Sequence, residues 1–481
     1  MTSRWAVILA GVVIAAASIE IVPAVIAQSF TPQPIARFTP GTVAQDLAIS
    51  PKGGWVYMVG STTSADYPVT ADAFDRTCGT DGACNVVQGR FGLERRADIV
   101  LTVFDATGAI RYSTFIGGAG QDDNPRIAVA RDGTVWLAGN KASEIFENAS
   151  TGCGGNLWIA RFDFTLRRIE QFLCLNGPTL ADTALDADGS LWLLGTTGIP
   201  VATRNAFQPN IAGQLDIFVA QISPSESSPL MATHLGGSGL DTAAALALTP
   251  AGDIAIVGAT NSRDFPLVRP LRTTPPNSIV HGDAVIVVLD RSGRLLEFST
   301  YWGGSFDDGA SGVAVDSGGN LYVIGQTASR DMPTTPGAFD RECDLETCRD
   351  AFIVKLNAVG ELMAATYYGA SGFESGRGGI VVRSNGQVLA MGSTQSPDFA
   401  LLGGQAFRRW RAGPNFEHSW LAVFDNRLEQ LTRAVFVGDE DFLPNVPHLI
   451  EGNGFAYVAG QVGTLTSSAG FGTYLSVVPV P

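Results

Sequence analysis

One pattern recurs along nearly the whole chain: an apolar run closed by glycine, a loop, then a second apolar run opened by an acid. The closing glycines are Gly60, Gly139, Gly195, Gly258, Gly325, Gly392 and Gly460. They stand roughly 65 residues apart, the mark of a repeat array whose units share one continuous core. The clearest copy has four elements. Gly312-Val313-Ala314-Val315 is a short strand, A, followed by the tight turn Asp316-Ser317-Gly318-Gly319-Asn320. Leu321 to Gly325 is strand B, Asp350 to Leu356 is strand C after a long loop, and Leu362 to Tyr368 is strand D. These runs are short, rich in Val, Ile and aromatic residues, and bounded by Gly, Asn or Asp, as antiparallel strands are. Four strands repeated seven times predict an all-β fold, a seven-bladed β-propeller of four-stranded antiparallel blades.

The chain ends support that count. Ile35 to Thr39 reads as a lone D strand, and the last copy has A, B (455–460) and C (473–478) but no D. The N-terminal strand is therefore expected to complete the last blade and cover its open edge. The expected organisation is a signal peptide over 1–27 and a single propeller over 28–481. Its blades are expected at 45–118, 126–176, 181–237, 243–304, 311–369, 378–438 and 446–479 plus 34–40.

The N-terminus reads as a targeting segment. Arg4 precedes an uncharged run from Trp5 to Ile19, shorter than the ~20 residues of a membrane span. Val25-Ile26-Ala27 fits a cleavage site before Gln28. The six cysteines fall into close pairs, Cys78 with Cys84, Cys153 with Cys174 and Cys343 with Cys348, which an oxidising compartment would turn into disulfides. A zinc site is the competing reading, but no pair has C-x₂-C spacing and His234, His281, His418 and His448 are scattered. The product is expected to be secreted, periplasmic or on the cell surface, with no integral membrane segment after signal removal, and a monomer. A formal charge of −15 argues against nucleic acid as a partner.

Phe298-Ser299-Thr300-Tyr301-Trp302-Gly303-Gly304-Ser305-Phe306-Asp307-Asp308 resembles the STYLGG-x-x-DD signature of the bacterial SBBP repeat, a seven-bladed propeller repeat. Gly312 to Asp316, Leu321 to Gly325 and Thr327-x-Ser329-x-Asp331-Met332-Pro333 continue it. The resemblance covers roughly residues 34–479, and its match is strongest around 112–139, 234–266, 298–333 and 350–399. It implies an exported or cell-surface propeller and assigns no general activity.

Several repeated residues invite a role. The pairs Gly117-Gly118, Gly236-Gly237 and Gly303-Gly304 begin the D–A turn, where glycine would allow positive φ. Asp122, Asp241, Asp308 and Glu374 each lie five residues past the first glycine of that turn, with Asp46, Asp182 and Asp441 in loosely similar places. Such acids either converge near the axis as a cation site, calcium being the candidate, or accept backbone N–H bonds and fix their own loops. Repetition favours the second reading. Asp66, Asp264, Asp331 and Asp398, within T-x-S-x-D-x-P, and the Phe of Ala73-Phe74, Ala206-Phe207, Ala338-Phe339 and Ala406-Phe407 read as loop anchors. His234 aligns with Phe115, Tyr301 and Tyr367 and reads as packing. His448 aligns with Val313 on the innermost strand, and Asp186-Ala187-Asp188-Gly189-Ser190 is an A–B turn with a faint likeness to a calcium loop.

The A–B and C–D turns are short, whereas the B–C loops are long (61–97, 196–215, 259–282, 326–349, 393–418). B–C and D–A connections share one face of a blade, so a partner is expected there. The first functional reading is a non-enzymatic scaffold that binds a protein or polysaccharide through this face. The alternative is an extracellular hydrolase or lyase with Asp, Glu and His contributed by several blades, for which His448, Glu374 and Arg377 are the deviant positions.

Overall fold

Seven four-stranded antiparallel sheets follow one another along the chain in a computed structural model. It describes residues 33–480 apart from 39–40, 53, 90–91, 142–154, 275–281, 344–347, 400, 402–417, 438–447, 453 and 463–471. The stretch 1–27, expected to be a signal peptide, and His281, Cys153, Asp441 and Ala406-Phe407 lie outside the described residues. The blades run over 42–116, 122–175, 179–235, 241–302, 308–368, 374–437 and 448–479, the last completed by Gln33–Arg37. That strand pairs antiparallel with Gly472–Pro479, Gln33 opposite Val477 and Arg37 opposite Tyr474. The chain is thus an all-β, seven-bladed propeller closed by its two ends.

Strands B and C are buried on both faces, because each blade is covered by a neighbour on either side. Val56–Thr62, Asp98–Phe104 and Asp350–Leu356 are buried at every residue, which is why they read as continuous apolar runs rather than alternating ones. Between blades 5 and 6 the ring of Tyr368 meets Phe399, Trp420 and Phe424 at centroid distances of 4.8, 4.9 and 5.2 Å. The Phe of the Ala-Phe motif reaches across such seams: Phe74 packs on Phe162 of blade 2 at 5.3 Å, and Phe339 on Phe424 of blade 6 at 5.7 Å.

The inner strands differ from expectation in one respect. Strand A of blade 5 is Asp308–Val315 rather than 312–315, and that of blade 1 is Thr42–Ile49. A β-bulge explains the difference. The A–B register slips between Ala44 and Asp46, Asp123 and Arg126, Leu180 and Asp182, Ala243 and Ala245, Ala310 and Gly312, and Ser375 and Gly379. An extra residue breaks the two-residue period, so the half of the strand before the bulge looks like turn. The B–C loop of blade 1 also holds a small hairpin, Val86–Gly89 with Gly92–Arg95, that its composition did not announce.

Candidate functional site

The bulge places the repeated acids at the head of strand A, inside the sheet rather than in the turn. In blade 5, Asp308 stands opposite Thr327, the last residue of strand B. Its Oδ1 accepts a hydrogen bond from Thr327 Oγ1, and its Oδ2 accepts from Ser329 Oγ at 2.8 Å and from Gly304 N–H at 2.7 Å. Blade 4 repeats this: Asp241 accepts from Thr260, from Ser262 Oγ at 2.8 Å and from Gly237 N–H at 2.8 Å. In blade 6 the longer Glu374 accepts from Thr394 Oγ1 at 2.6 Å, from Ser396, and from Ala370 N–H at 3.1 Å. All three acids are buried, and burial holds their carboxyls above the usual range despite these donors. In blade 2, Asp122 is also buried and accepts from Gly118 N–H at 3.0 Å. In blade 1 the position is Thr42, whose hydroxyl lies 2.8 Å from that of Thr62.

This network gives the T-x-S-x-D segment its meaning. Thr and Ser donate to the acid, and the following Asp turns back to the D–A turn: Asp264, Asp331 and Asp398 accept from the hydroxyl and N–H of Ser238, Ser305 and Ser371. Tyr301 and Tyr367 of strand D donate to the carbonyls of Ser262 and Ser329 at 2.8 Å. His234 takes the same place in blade 3. Its Nε2 accepts from Val201 N–H at 3.3 Å, so Nδ1 carries the proton and faces the Gln208 carbonyl at 3.2 Å.

In the blade before each of these acids, strand C also opens on an acid, which lies beside the next strand A: Asp98 with Asp122, Asp216 with Asp241, Asp283 with Asp308, Asp350 with Glu374. The first glycine of the D–A turn separates each pair. A Cβ on Gly236 would stand 2.7 Å from both Asp216 and Asp241, and one on Gly117 would stand 2.7 Å from Asp98 and 3.0 Å from Asp122. Of the first glycines only Gly303 has positive φ, so this position requires glycine for space rather than for backbone conformation. Each strand-C acid is compensated differently. Asp283 meets Arg272 Nη1 at 2.5 Å, yet burial, with Asp308 adding to it, pushes its carboxyl up to about 7. Asp216 accepts from Gln208 Nε2 at 2.8 Å and Ala212 N–H at 2.9 Å. Asp98 accepts from Gly79 N–H at 2.5 Å, inside the loop closed by the Cys78–Cys84 disulfide. The Cys343–Cys348 disulfide closes the matching loop beside Asp350. Cys174 is also disulfide-bonded.

Asp46 and Asp182 do not share the place of the leading acids. They stand after the bulge, opposite Val59 and Leu194, at the position of Arg126 in blade 2. The same register place holds Ala245, Gly312, Gly379 and His448 in blades 4 to 7. Each of the three charged residues reaches the next inner strand. Asp46 accepts from Ile127 N–H at 2.8 Å, Arg126 Nε donates to the Ala181 carbonyl at 2.7 Å, and Asp182 accepts from Leu246 N–H at 2.9 Å. Burial pushes Asp46 up to about 7, opposed by the nearby Arg126 charge, and raises Asp182 in the same way. Sequence reading missed this arc because it is not repeated; the offset from the closing glycine was its one signal. Arg377 lies in the bulge of blade 6 and is exposed.

Among known proteins, no family model and no curated protein matches the chain. Solved structures that resemble it include the Cps50 (Swd1) β-propeller domain of Myceliophteria thermophila, at 10% identity and a TM-score of 0.45 over 93% of this chain and 100% of that one. The polysaccharide lyase Uly1 matches at 11% identity and a TM-score of 0.46 over 91% and 90% of the two chains. A protein of unknown function from Dyadobacter fermentans matches at 11% identity and a TM-score of 0.42 over 75% and 95%.

Proposed function

We propose that this chain is an exported, non-enzymatic propeller of the SBBP-repeat kind that holds a protein or polysaccharide partner on its long-loop face. The observation that carries the reading is the occupation of the repeated acids. Asp241, Asp308 and Glu374, the carboxylates a hydrolase or lyase would draw on, are buried and each accepts three hydrogen bonds from its own blade and turn. An acid held in this way positions loops instead of meeting substrate. The same bonds, with the disulfides of blades 1 and 5, fasten the B–C loops to the D–A turns and make that face a stiff platform. The disulfides also favour export. Phe306, exposed on the D–A turn between blades 4 and 5, belongs to this platform.

The test is capture of a partner from the periplasmic or culture fraction by the full chain, with an assay for new reducing or unsaturated ends on polysaccharides alongside. A partner retained by the wild type and lost by Phe306→Asp is expected. Cleavage of a polysaccharide that is abolished by Glu374→Gln would overturn the reading in favour of an enzyme.

A further inference from the structure

The opposite face carries a feature that the long loops do not explain. A cavity of about 1010 Å³ opens among the A–B turns of blades 1 to 4. Its floor is the lower end of three inner strands, through Val129, Leu185 and Leu248. Its polar wall includes Arg131, Asp132, Asp186, Asp188 and Arg291. We propose that this cavity binds an uncharged oligosaccharide.

The rim is built on a repeated contact. In blades 2 to 4 the second residue of the C–D turn lies against the glycine of the A–B turn beside it: a Cβ on Gly133 would stand 3.4 Å from Phe164, one on Gly189 3.8 Å from Pro224 and one on Gly252 3.7 Å from Arg291. Ala358 over Gly319 and Asn426 over Gly386 continue the ring in blades 5 and 6. The backbone fixes this position and leaves its side chain free to vary. Blade 4 uses it to place a guanidinium in the cavity wall. Blade 2 uses it to hold Phe164, 72% exposed, against the turn that supplies Arg131 and Asp132.

The chemistry of the lining selects the ligand. The guanidinium groups of Arg131 and Arg291 are exposed and make no hydrogen bond or ion pair among the described residues, so a ligand has only water to displace from them. Asp132, Asp186 and Asp188 share the wall, each accepting an N–H of its own turn with one oxygen, from Thr134, Ala187 and Ser190, and with a chain charge of −15 they oppose a polyanion. The two guanidinium groups in turn oppose a polycation. An apolar ligand would strip water from all five charges without replacing their hydrogen bonds. A sugar meets these conditions through hydroxyls that donate to carboxylate and accept from guanidinium, and an oligomer that runs past the cavity edge meets Phe164, which stands beside the Arg131-Asp132-Gly133 turn but outside the lining. The volume is at the top of the roughly 300–1,000 Å³ range of small-molecule sites, which suits several rings rather than one. This site is independent of the long-loop partner, since it lies on the other face.

The test is calorimetric titration of the full chain with cellohexaose, mannohexaose, maltohexaose and N-acetyl-chitohexaose, with galacturonic-acid and chitosan hexamers as charged comparisons. At least one neutral hexamer is expected to bind in preference to both charged ones. Phe164→Ala and Arg291→Ala are each expected to weaken it by about tenfold. Arg131→Ala, whose guanidinium supports nothing in the fold, gives the same loss should either of the others unfold. Loss of hexamer binding in Phe306→Asp, with the turn-face variants unaffected, would place the sugar on the long-loop face and overturn this proposal without touching the other. The proposal is overturned if no neutral hexamer binds, if a charged hexamer binds better, or if binding survives the turn-face substitutions.

Discussion

Blades 4 to 6 and blades 1 to 3 solve one problem at two heights. Each inner strand borders the axis and must be fastened to something other than a further strand of its own sheet. In blades 4 to 6 the fastening lies at the head of the strand, where Asp241, Asp308 and Glu374 gather the hydroxyls of Thr and Ser and an N–H of the preceding turn. Past the bulge these blades carry Ala245, Gly312 and Gly379, and neighbouring inner strands approach closely: a Cβ on Gly312 would stand 3.3 Å from Gly379 Cα. In blades 1 to 3 the heads are Thr42, Asp122 and Thr179, and the fastening moves past the bulge to Asp46, Arg126 and Asp182, which bridge successive inner strands. A sevenfold repeat therefore does not require sevenfold chemistry. The two devices also overlap: blade 2 has both Asp122 and Arg126, and the seam between blades 3 and 4 has both Asp182 with Leu246 and Asp241 with Gly237.

The contrast can be broken or sharpened by experiment. The largest expected effect is on pH dependence. The folded-state carboxyls of Asp46 and Asp283 sit near 7, and those of Asp182, Asp241, Asp308 and Glu374 are also raised. A raised folded pKa means the folded chain holds more protons than the unfolded one, so this stabilisation is complete below the ordinary carboxylate pKa and lost as pH rises through about 7. Turn acids such as Asp105, held down to about 2 by Thr107 and neighbouring donors, act only at lower pH. Urea unfolding is expected to show greatest stability near pH 4–5 and a loss on the order of 2–4 kcal/mol by pH 8. A stability that rises from pH 5 to 8 would show that these acids are not under strain.

Asp308→Ala comes next. It strands two hydroxyls and one N–H in a dry site and is expected to cost about 3 kcal/mol, against about 1 kcal/mol for Thr42→Ala at the same position of blade 1. Equal costs would erase the distinction between the two halves. Opening the Cys343–Cys348 loop by the double Ser substitution is expected to cost about 2 kcal/mol, measured against the same change at Cys78 and Cys84. A small effect, comparable to that of Thr42→Ala, is expected for Asp182→Ala, about 1–2 kcal/mol, because only the bond to Leu246 N–H crosses a seam. Coupling between Asp182→Ala and Asp46→Ala in a double-mutant cycle would show whether Arg126 ties the two seams together.

Much of this was legible in the residues alone. Seven glycine-closed strands, their turns and the shared last blade follow from short-range pattern. The Asp and Phe of the B–C loops could be recognised as loop anchors because they recur. The bulge was not legible: Asp308-Gly309-Ala310-Ser311 has too little apolar period to read as strand. The partner acids at the heads of strand C were visible one at a time but not as pairs, since Asp283 and Asp308 meet only when the D–A turn folds between them. The channel arc was the least accessible. Asp46 bonds a residue 81 positions away, and nothing local to either announces the contact.

The shared last blade has a consequence for how the molecule is made. The segment 33–37 is among the first parts of the fold to leave the ribosome, and its mate at 472–479 is among the last. For the whole of synthesis the earliest strand has no place to dock, and when the final three strands emerge they offer an edge to whichever such segment is nearest. At high local concentration that segment can belong to another molecule, so crowded expression should yield exchanged, chain-linked oligomers that dilution before folding avoids.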